Sequence, residues 1–595
     1  MIIEFRSFRL VWMACLLKMV SANAEDGVRF FTPKPGFTRV ADLPDGYQGK
    51  IDTLEFAIKD AFDGTPAHSA VEQKLYDLGD KLHIDSKEFT IRRRLFFREG
   101  DTVSAELLRE NEKNLRSEQF LADAFIEVKR LPDSNLDVRI TTYDQWTTVP
   151  ALAVSRKGGE WIWAFGPAES NLLGTGQQLG YFVGQNLQDK TSSLVFSNTA
   201  FTPLKLQLTG FYTWLTDLYS GSNGYSYSFA LNRPLLARTD EWSLSLTAWG
   251  QAMAEDLYAS GNDLDALANE GGLDSSGREQ LGQTNLLGQW SHVITHNYYA
   301  GITRSFGYFL KSSVTPFYEQ ESRYQNGDGF SITDTTVWND LGRPRLDTLD
   351  TRHDQLLGLT VNLYQYDYKT VRNYKNLKWS ETLETGWRLA ASLAQNQTWL
   401  GARNTDWLLN YAGTYVNEWA NTFYLNSSGS MRYFLSPSGV FDDGAASAQF
   451  QVQWKPDFFF ATVLSGNYDD LFAATAGQRL YLGGESGLNG FPDYYYGGKA
   501  RVLFDAEERY FPPFEFGTLV PAFVAFVNAG NTYSAYDEMD LQEMHYDVGI
   551  GMNLGYSRSV NKTINHFYFS WPVGERNLGP WSPVKYFSLV ASKTL

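Results

Sequence analysis

Polar and apolar residues alternate at every second position in segment after segment of this chain, and that alternation constrains the fold more than any other feature. Trp242, Leu244, Leu246 and Ala248 interleave with Ser243, Ser245 and Thr247. Ala448, Phe450, Val452 and Trp454 interleave with Gln449, Gln451, Gln453 and Lys455, and Leu204, Leu206 and Leu208 with Lys205, Gln207 and Thr209. A period of two puts one set of side chains on each face of a strand. Beyond the N-terminal residues no apolar run reaches the roughly 18 residues that a membrane-spanning helix needs.

A soluble sandwich would also alternate, but three features favour a membrane barrel. The segments run to roughly 9 to 12 residues, the length of a tilted bilayer-crossing strand. Their polar faces keep Gln, Lys, Asp and Arg at mid-strand, which suits a hydrated lumen. Aromatics gather at segment ends, as in Phe211-Tyr212-Thr213-Trp214, Tyr298-Tyr299 and Tyr494-Tyr495-Tyr496, where interfacial girdles sit. The expectation is a mainly β fold: a transmembrane antiparallel barrel over 160–595 with about 16 strands, preceded by a small α+β domain over 48–150. The polar stretches 255–283 and 319–353 read as exterior loops.

Arg6 and Arg9 precede the apolar stretch Leu10 to Leu17, and Ala22-Asn23-Ala24 follows. This is the pattern of a signal peptide over 1–24, with an N-terminal extension over 25–47. The only cysteine, Cys15, falls in that leader, so no disulfide is expected after export. With 51 Lys+Arg against 68 Asp+Glu and a formal charge of −17, nucleic acid is excluded as the main partner, because a phosphate backbone asks for surplus cations.

The small domain reads as strand, helices, then two strands. Leu54, Phe56 and Ile58 alternate with polar neighbours. Val71, Leu75, Leu78 and Leu82 make one helical stripe. Ser86 is expected to cap a second helix running through Ile91 and Arg92-Arg93-Arg94, and a third helix spans Ser104 to Phe120. Ile126 and Val128, then Leu136, Val138 and Ile140, mark strands around the turn Pro132-Asp133-Ser134-Asn135.

Ile91-Arg92-Arg93-Arg94-Leu95-Phe96-Phe97-Arg98-Glu99-Gly100-Asp101, Asn114-Leu115-Arg116 and Val138-Arg139-Ile140-Thr141-Thr142-Tyr143-Asp144-Gln145-Trp146 together resemble a POTRA domain. Such domains belong to the BamA/TamA superfamily of outer-membrane proteins, also called bacterial surface antigens. Glu169-Ser170-Asn171-Leu172-Leu173-Gly174-Thr175-Gly176 resembles that family's barrel entry, between its first two strands. Leu482-Gly483-Gly484-Glu485-Ser486-Gly487-Leu488-Asn489-Gly490-Phe491-Pro492 resembles its loop tip, with Glu507-Glu508-Arg509 on the next strand.

The resemblance implies a loop tip of Leu488, Asn489, Gly490 and Phe491 folded into the lumen against Glu507, Arg509 and Asn528. The family carries Arg where this chain has Asn489, and Asp where Phe526-Val527-Asn528-Ala529-Gly530 has Asn528. Both halves of that ion pair are thus neutral, and the two amides are expected to touch. Asp505, Glu507 and Arg509 share one strand face and are expected in the lumen.

The resemblance further implies insertion of proteins into the outer membrane, or their passage across it, without a cofactor and with the POTRA domain in the periplasm. Clients would be unfolded or exported proteins. The barrel would meet outer-membrane lipids and lipopolysaccharide, and POTRA a periplasmic or inner-membrane partner. A lateral seam is expected between Trp161, Trp163 and Phe165 of a first strand and Phe587, Leu589 and Ala591 of the last, and a client-binding POTRA edge at Val138, Ile140 and Thr142. The alternative is a passive channel or surface receptor without assembly activity.

Enzymatic readings are weaker. Gly484-Glu485-Ser486-Gly487-Leu488 lacks the final Gly of a nucleophile elbow. His292 and His296 stand about 13 Å apart along a strand, too far for one metal ion. Asn262, Asp263 and Asp265 lack the turn Gly of a calcium loop. No catalytic residue, cofactor or metal is expected.

Overall fold

The computed structural model describes residues 33–60, 74, 84–145, 147–157, 160–186, 189–218, 221–258, 287–332, 351–372, 374, 377, 380–474, 479–484, 486–491, 495–516, 519–556, 564–574 and 587–591. The leader over 1–24, nearly all of the helix expected over 71–82 and the acidic segment 262–265 lie outside them.

The small domain consists of β1 (Thr38–Arg39), β2 (Gln48–Lys59), α1 (Glu88–Arg92), β3 (Thr102–Ser104), α2 (Ala105–Arg116), β4 (Leu121–Arg130) and β5 (Leu136–Asp144). Ser104 caps α2, its hydroxyl accepting the Leu107 amide at 3.2 Å. Ala105, Leu108, Asn111, Glu112 and Leu115 then form the buried stripe. Each leucine so buried contributes roughly 1.5–3 kcal/mol. Ser86 does not cap α1. Its amide instead donates to Oδ2 of Asp144 at 2.6 Å and its hydroxyl accepts from Asn171 at 2.9 Å, tying the chain before α1 to the end of β5.

The sheet order is β1-β4-β5-β2-β3, with β2 parallel to β5 and β4 antiparallel to it. Val138, Ile140 and Thr142 therefore lie on the central strand and are buried, which overturns the expectation of an edge there. Alternation reveals which side chains point inward. It does not reveal that a long crossover has laid β2 alongside β5 in parallel. β2 carries an open edge, where β3 covers Gln48–Lys50 and no strand pairs with the outer side of 52–59 among the described residues, while β4 is covered by β1 only at Glu127 and Val128.

The barrel runs through β6 (Thr148–Lys157), β7 (Glu160–Glu169), β8 (Gln177–Gln185), β9 (Asp189–Asn198), β10 (Gln207–Asp217), β11 (Asn223–Arg233) and β12 (Trp242–Tyr258). The longest strands follow: β13 (Leu287–Phe306), β14 (Lys311–Ile332), β15 (Arg352–Arg372) and β16 (Ser380–Asn396). Next come β17 (Trp407–Trp419), β18 (Phe423–Leu435), β19 (Phe441–Trp454) and β20 (Phe460–Asp470). A short hairpin of β21 (Leu480–Leu482) and β22 (Tyr496–Gly498) leaves the wall before β23 (Ala500–Tyr510), β24 (Leu519–Tyr533), β25 (His545–Tyr556), β26 (Asn565–Val573) and β27 (Phe587–Ala591) complete it.

Twenty of these strands close in one ring, with β27 beside β6 and β9 beside β10, against the expected count of about 16. The wall also begins at Thr148 rather than at residue 160. In β6 the run Ala151-Leu152-Ala153-Val154 hides the alternation. Tight hairpins shorten the chain needed per strand: Ala420 and Asn421 both take φ of 55° between β17 and β18, the twist that a short hairpin requires.

Closure pairs the backbone groups that hydrocarbon would leave unsatisfied, at a cost on the order of several kcal/mol each. The outer face is apolar. On β15, Leu357, Leu359, Val361 and Leu363 project outward while Asp354 and Leu356 are buried inside. On β19, Phe450 and Trp454 are exposed while Gln453 is buried. His296 belongs to this outer face, tilted against Tyr227 and stacked on Tyr298, as a girdle histidine would be. Inside, hydroxyls pair across strands, as Ser193 with Thr213 and Thr360 with Ser392, each at 2.8 Å. The wall is a transmembrane antiparallel barrel.

Candidate functional site: an inserted loop, a seam and a docked domain

The loop between β20 and β23 is anchored at its base by Arg501. Its guanidinium holds Asp469 at 2.6 Å and the Tyr481 carbonyl at 2.9 Å. Beyond the β21–β22 hairpin, Leu488 and Phe491 are fully buried with Leu482, Tyr496 and Leu503. The tip crosses the inner wall to β25. The Gly490 amide donates to Oδ2 of Asp547 at 3.1 Å, and a Cβ at Gly490 would stand 2.8 Å from the Pro572 nitrogen and 2.9 Å from the Asp547 Cβ. Only glycine allows that approach.

Asp547 is wholly buried. Its other oxygen accepts from Nδ2 of Asn528 at 2.9 Å. Asn528 thus reaches a carboxylate on the next strand, and the direct Asn489–Asn528 contact expected from the sequence is replaced by this arrangement. Registration explains the amide: Asp505, Asn528 and Asp547 are cross-strand neighbours on β23, β24 and β25. A carboxylate at 528 would be flanked by two others at a Cβ spacing of about 5 Å. Glu507 and Arg509 face the lumen as expected, but they pair with each other at 2.6 Å rather than with the loop. Asp505 accepts from Ser465 at 2.9 Å.

The barrel closes between β27 and β6, where the described register holds two pairs, Leu589 with Arg156 and Val590 with Ser155. Phe587, Leu589 and Ala591 therefore lie on the seam strand as expected. Trp161, Trp163 and Phe165 do not: they stand on β7, the second strand, where they are exposed on the outer face. The missed first strand explains the displacement.

The segment 169–176 joins β7 to β8 rather than the first two strands, and it grips the small domain. The Gly174 carbonyl accepts from the Lys87 amide and from the Thr90 hydroxyl, both at 2.8 Å. Arg94, buried, ion-pairs with Glu118 at 2.9 Å, and the Thr199 hydroxyl bridges the two, accepting from Arg94 and donating to Glu118 at 2.8 Å each.

Along α2, Glu106, Glu110 and Lys113 occupy one helical face and dock on the barrel mouth. Arg238, in the turn after β11, ion-pairs with Glu110 at 3.3 Å, donates its amide to the same carboxylate at 3.1 Å, and donates to the Tyr366 carbonyl at 3.1 Å. The Tyr308 hydroxyl donates to Glu106 at 3.1 Å, and the Lys113 ammonium lies 3.0 Å from the centre of the Tyr368 ring. Burial raises the Glu110 carboxyl above its ordinary range despite Arg238, and burial lowers Lys113 to about 8.

Sequence reasoning missed Asp547, Glu110 and Arg238. A lone carboxylate on the polar face of a strand, as in Tyr546-Asp547-Val548, was the available signal for the first. Nothing local marks the other two.

No family model matches the chain, and no curated protein sequence matches it. Among solved structures the chain is similar to CdiB from Escherichia coli, at 10% identity over 98% of this chain and 97% of that one, with a TM-score of 0.44. It is similar to CdiB from Acinetobacter baumannii at 12% identity over 91% and 73%, with a TM-score of 0.41. It is similar to BamA from Haemophilus ducreyi lacking POTRA domains 1-3 at 12% identity over 91% and 83%, with a TM-score of 0.34.

Proposed function

We propose that this chain is an outer-membrane protein of the BamA/TamA kind, which inserts polypeptides into the outer membrane or passes them across it by opening the wall between β27 and β6. On this reading the small domain is a POTRA domain on the periplasmic side, and the open edge of β2 takes an incoming chain as an added strand.

One observation carries the reading. The wall closes between its first and last strands, β6 and β27, where the described register pairs Leu589 with Arg156 and Val590 with Ser155, whereas all five described residues of β27 pair with β26. Parting the ring between β27 and β6 exposes two strand edges that can pair with a client. Trp161, Trp163 and Phe165 would then face lipid beside the opening.

The test is a disulfide across the true seam. Trp163 and Leu589 are two strand spacings apart, about 10 Å, beyond disulfide reach. Arg156→Cys with Leu589→Cys, in a Cys15→Ser background, joins registered neighbours. Purified full chain in liposomes is expected to speed the folding of a small urea-unfolded outer-membrane β-barrel. Oxidation should abolish the gain and reduction restore it. Folding that proceeds equally under both conditions would sink the seam reading, and an ion conductance indifferent to the bond would favour a passive channel.

A further inference from the structure

At the end of the barrel away from the small domain, a polar niche of about 90 Å³ is lined by Asp354, Asp406 and Asp442 together with Arg352, His353 and Arg403, and by Thr351, Asn404 and Phe434. Its cations are already engaged. Arg352 holds Asp442 at 2.8 Å and Asp443 at 2.6 Å, and Arg432 reaches Glu321 at 3.5 Å and Asp443 at 3.9 Å. Both guanidinium groups also lie against the Phe434 ring. Arg403 donates to the Thr351 carbonyl at 3.0 Å.

The carboxylates are not balanced in the same way. Asp354 is 5% exposed. Its Oδ1 accepts from Asn396 at 2.7 Å, whereas its Oδ2 is buried without a hydrogen-bond partner. Asp406 feels the same crowding: burial first, then the Asp442 and Asp354 carboxylates, raise its carboxyl above the ordinary range. A buried carboxylate oxygen with no donor is a costly arrangement, and the niche holds more negative groups than positive ones.

The chemistry of the missing group follows from the unpaired carboxylate oxygen and the charges around it. Among the described residues no three His, Cys, Asp or Glu side chains converge tightly enough to hold a metal ion. A group carrying its own donors tolerates wider spacing. An ammonium presents three N–H bonds from one compact charge, is smaller than a guanidinium fork, and could donate to Asp354 Oδ2 and to the carboxylates of Asp406 and Asp442 that line the niche. We propose that this niche binds a primary ammonium group, supplied by a lysine side chain of a polypeptide or by a free diamine.

Calorimetric titration of the full chain folded in detergent tests this, with cadaverine as one arm and an acetylated, amidated hexalysine peptide as the other. At least one arm should show saturable uptake of one ammonium ligand per chain. Uptake should weaken about tenfold or more in Asp354→Asn and, separately, in Asp406→Asn, and stay unchanged in Glu319→Gln, which removes another carboxylate from the barrel wall. Uptake of cadaverine alone assigns a free diamine, and of the peptide alone a polypeptide lysine. Asp406 stands outside the strands, so its variant keeps the test open if Asp354→Asn does not fold. The proposal is overturned by no saturable uptake in either arm, by uptake that survives both aspartate substitutions, by equal loss in Glu319→Gln, or by calcium binding where neither amine binds.

Discussion

The Gly490 amide lies 3.1 Å from Oδ2 of Asp547, so a buried carboxylate on β25 holds the tip of a loop that left the wall between β20 and β23. That oxygen meets a backbone N–H of the loop tip rather than a side chain. Asp547 needs no arginine partner to be satisfied, since Asn528 supplies the second donor. The lumen thus keeps a loop-to-wall anchor although the two positions expected to form it are amides.

Alanine at Gly490 should dislodge that tip. Its Cβ would meet the Pro572 nitrogen at 2.8 Å and the Trp571 carbonyl carbon at 3.0 Å, and backbone atoms in a closed wall cannot yield as a side-chain end can. A cost of about 1–3 kcal/mol is expected. Limited proteolysis of the folded barrel in detergent should show faster cleavage between β21 and β22 in Gly490→Ala. Cleavage at the rate of the unaltered chain would count against the anchor.

Asn528→Asp should destabilise the barrel, because it completes a row of carboxylates with Asp505 and Asp547 and removes the amide donor to Asp547. Repulsion and the lost bond together are expected to cost about 2–3 kcal/mol. Asn489→Arg, beside Gly490, should restore part of this in the double variant and be tolerated alone, since a carboxylate already waits on β25. Heat-modified gel migration over a temperature series reads all three. A double variant no more stable than Asn528→Asp would contradict the row.

The strands were readable and their neighbours were not. Hydrocarbon on one side and water on the other imposes a period of two on β12 and β19, and the sequence records it. Registration imposes no local pattern: Asn528 and its partner Asp547 are 19 residues apart, and Arg238 and Glu110 are 128 apart. The same blindness misassigned Val138, Ile140 and Thr142 to an edge, since a buried period of two looks alike in a central strand and an outer one. In β6 even the period failed, because the run Ala151-Leu152-Ala153-Val154 is apolar at every position.

Removing either partner of the Arg238–Glu110 pair should loosen the small domain from the barrel. Both side chains are mostly buried, at 17% and 13% exposed, so each single alanine variant leaves the opposite charge in a poor environment, at about 2–3 kcal/mol. The double variant should cost less than the sum, with a coupling of roughly 1–2 kcal/mol. Scanning calorimetry of the full chain in detergent reads the small-domain transition. Strict additivity would mean that the pair does not hold the dock.

Docking should tighten as the solution becomes alkaline, because of Lys113. Burial against the barrel lowers this ammonium from 10.5 to about 8, with Glu384 and Glu110 pulling the other way and Arg238 adding to the fall. Below about 8 the docked and released forms both keep the proton, and burying the charge opposes docking throughout. Between about 8 and 10.5 the docked form sheds the proton that the released form retains, so docking gains as pH climbs through that window. Calorimetry at about pH 7.5 and about pH 9.5 should therefore place the small-domain transition higher at the alkaline value relative to Lys113→Gln, which removes the titrating group. That comparison is needed because Lys205, near the same mouth, is also lowered to about 8 by burial and contributes in both proteins. An identical pH response in the two would show that Lys113 is not buried by the dock.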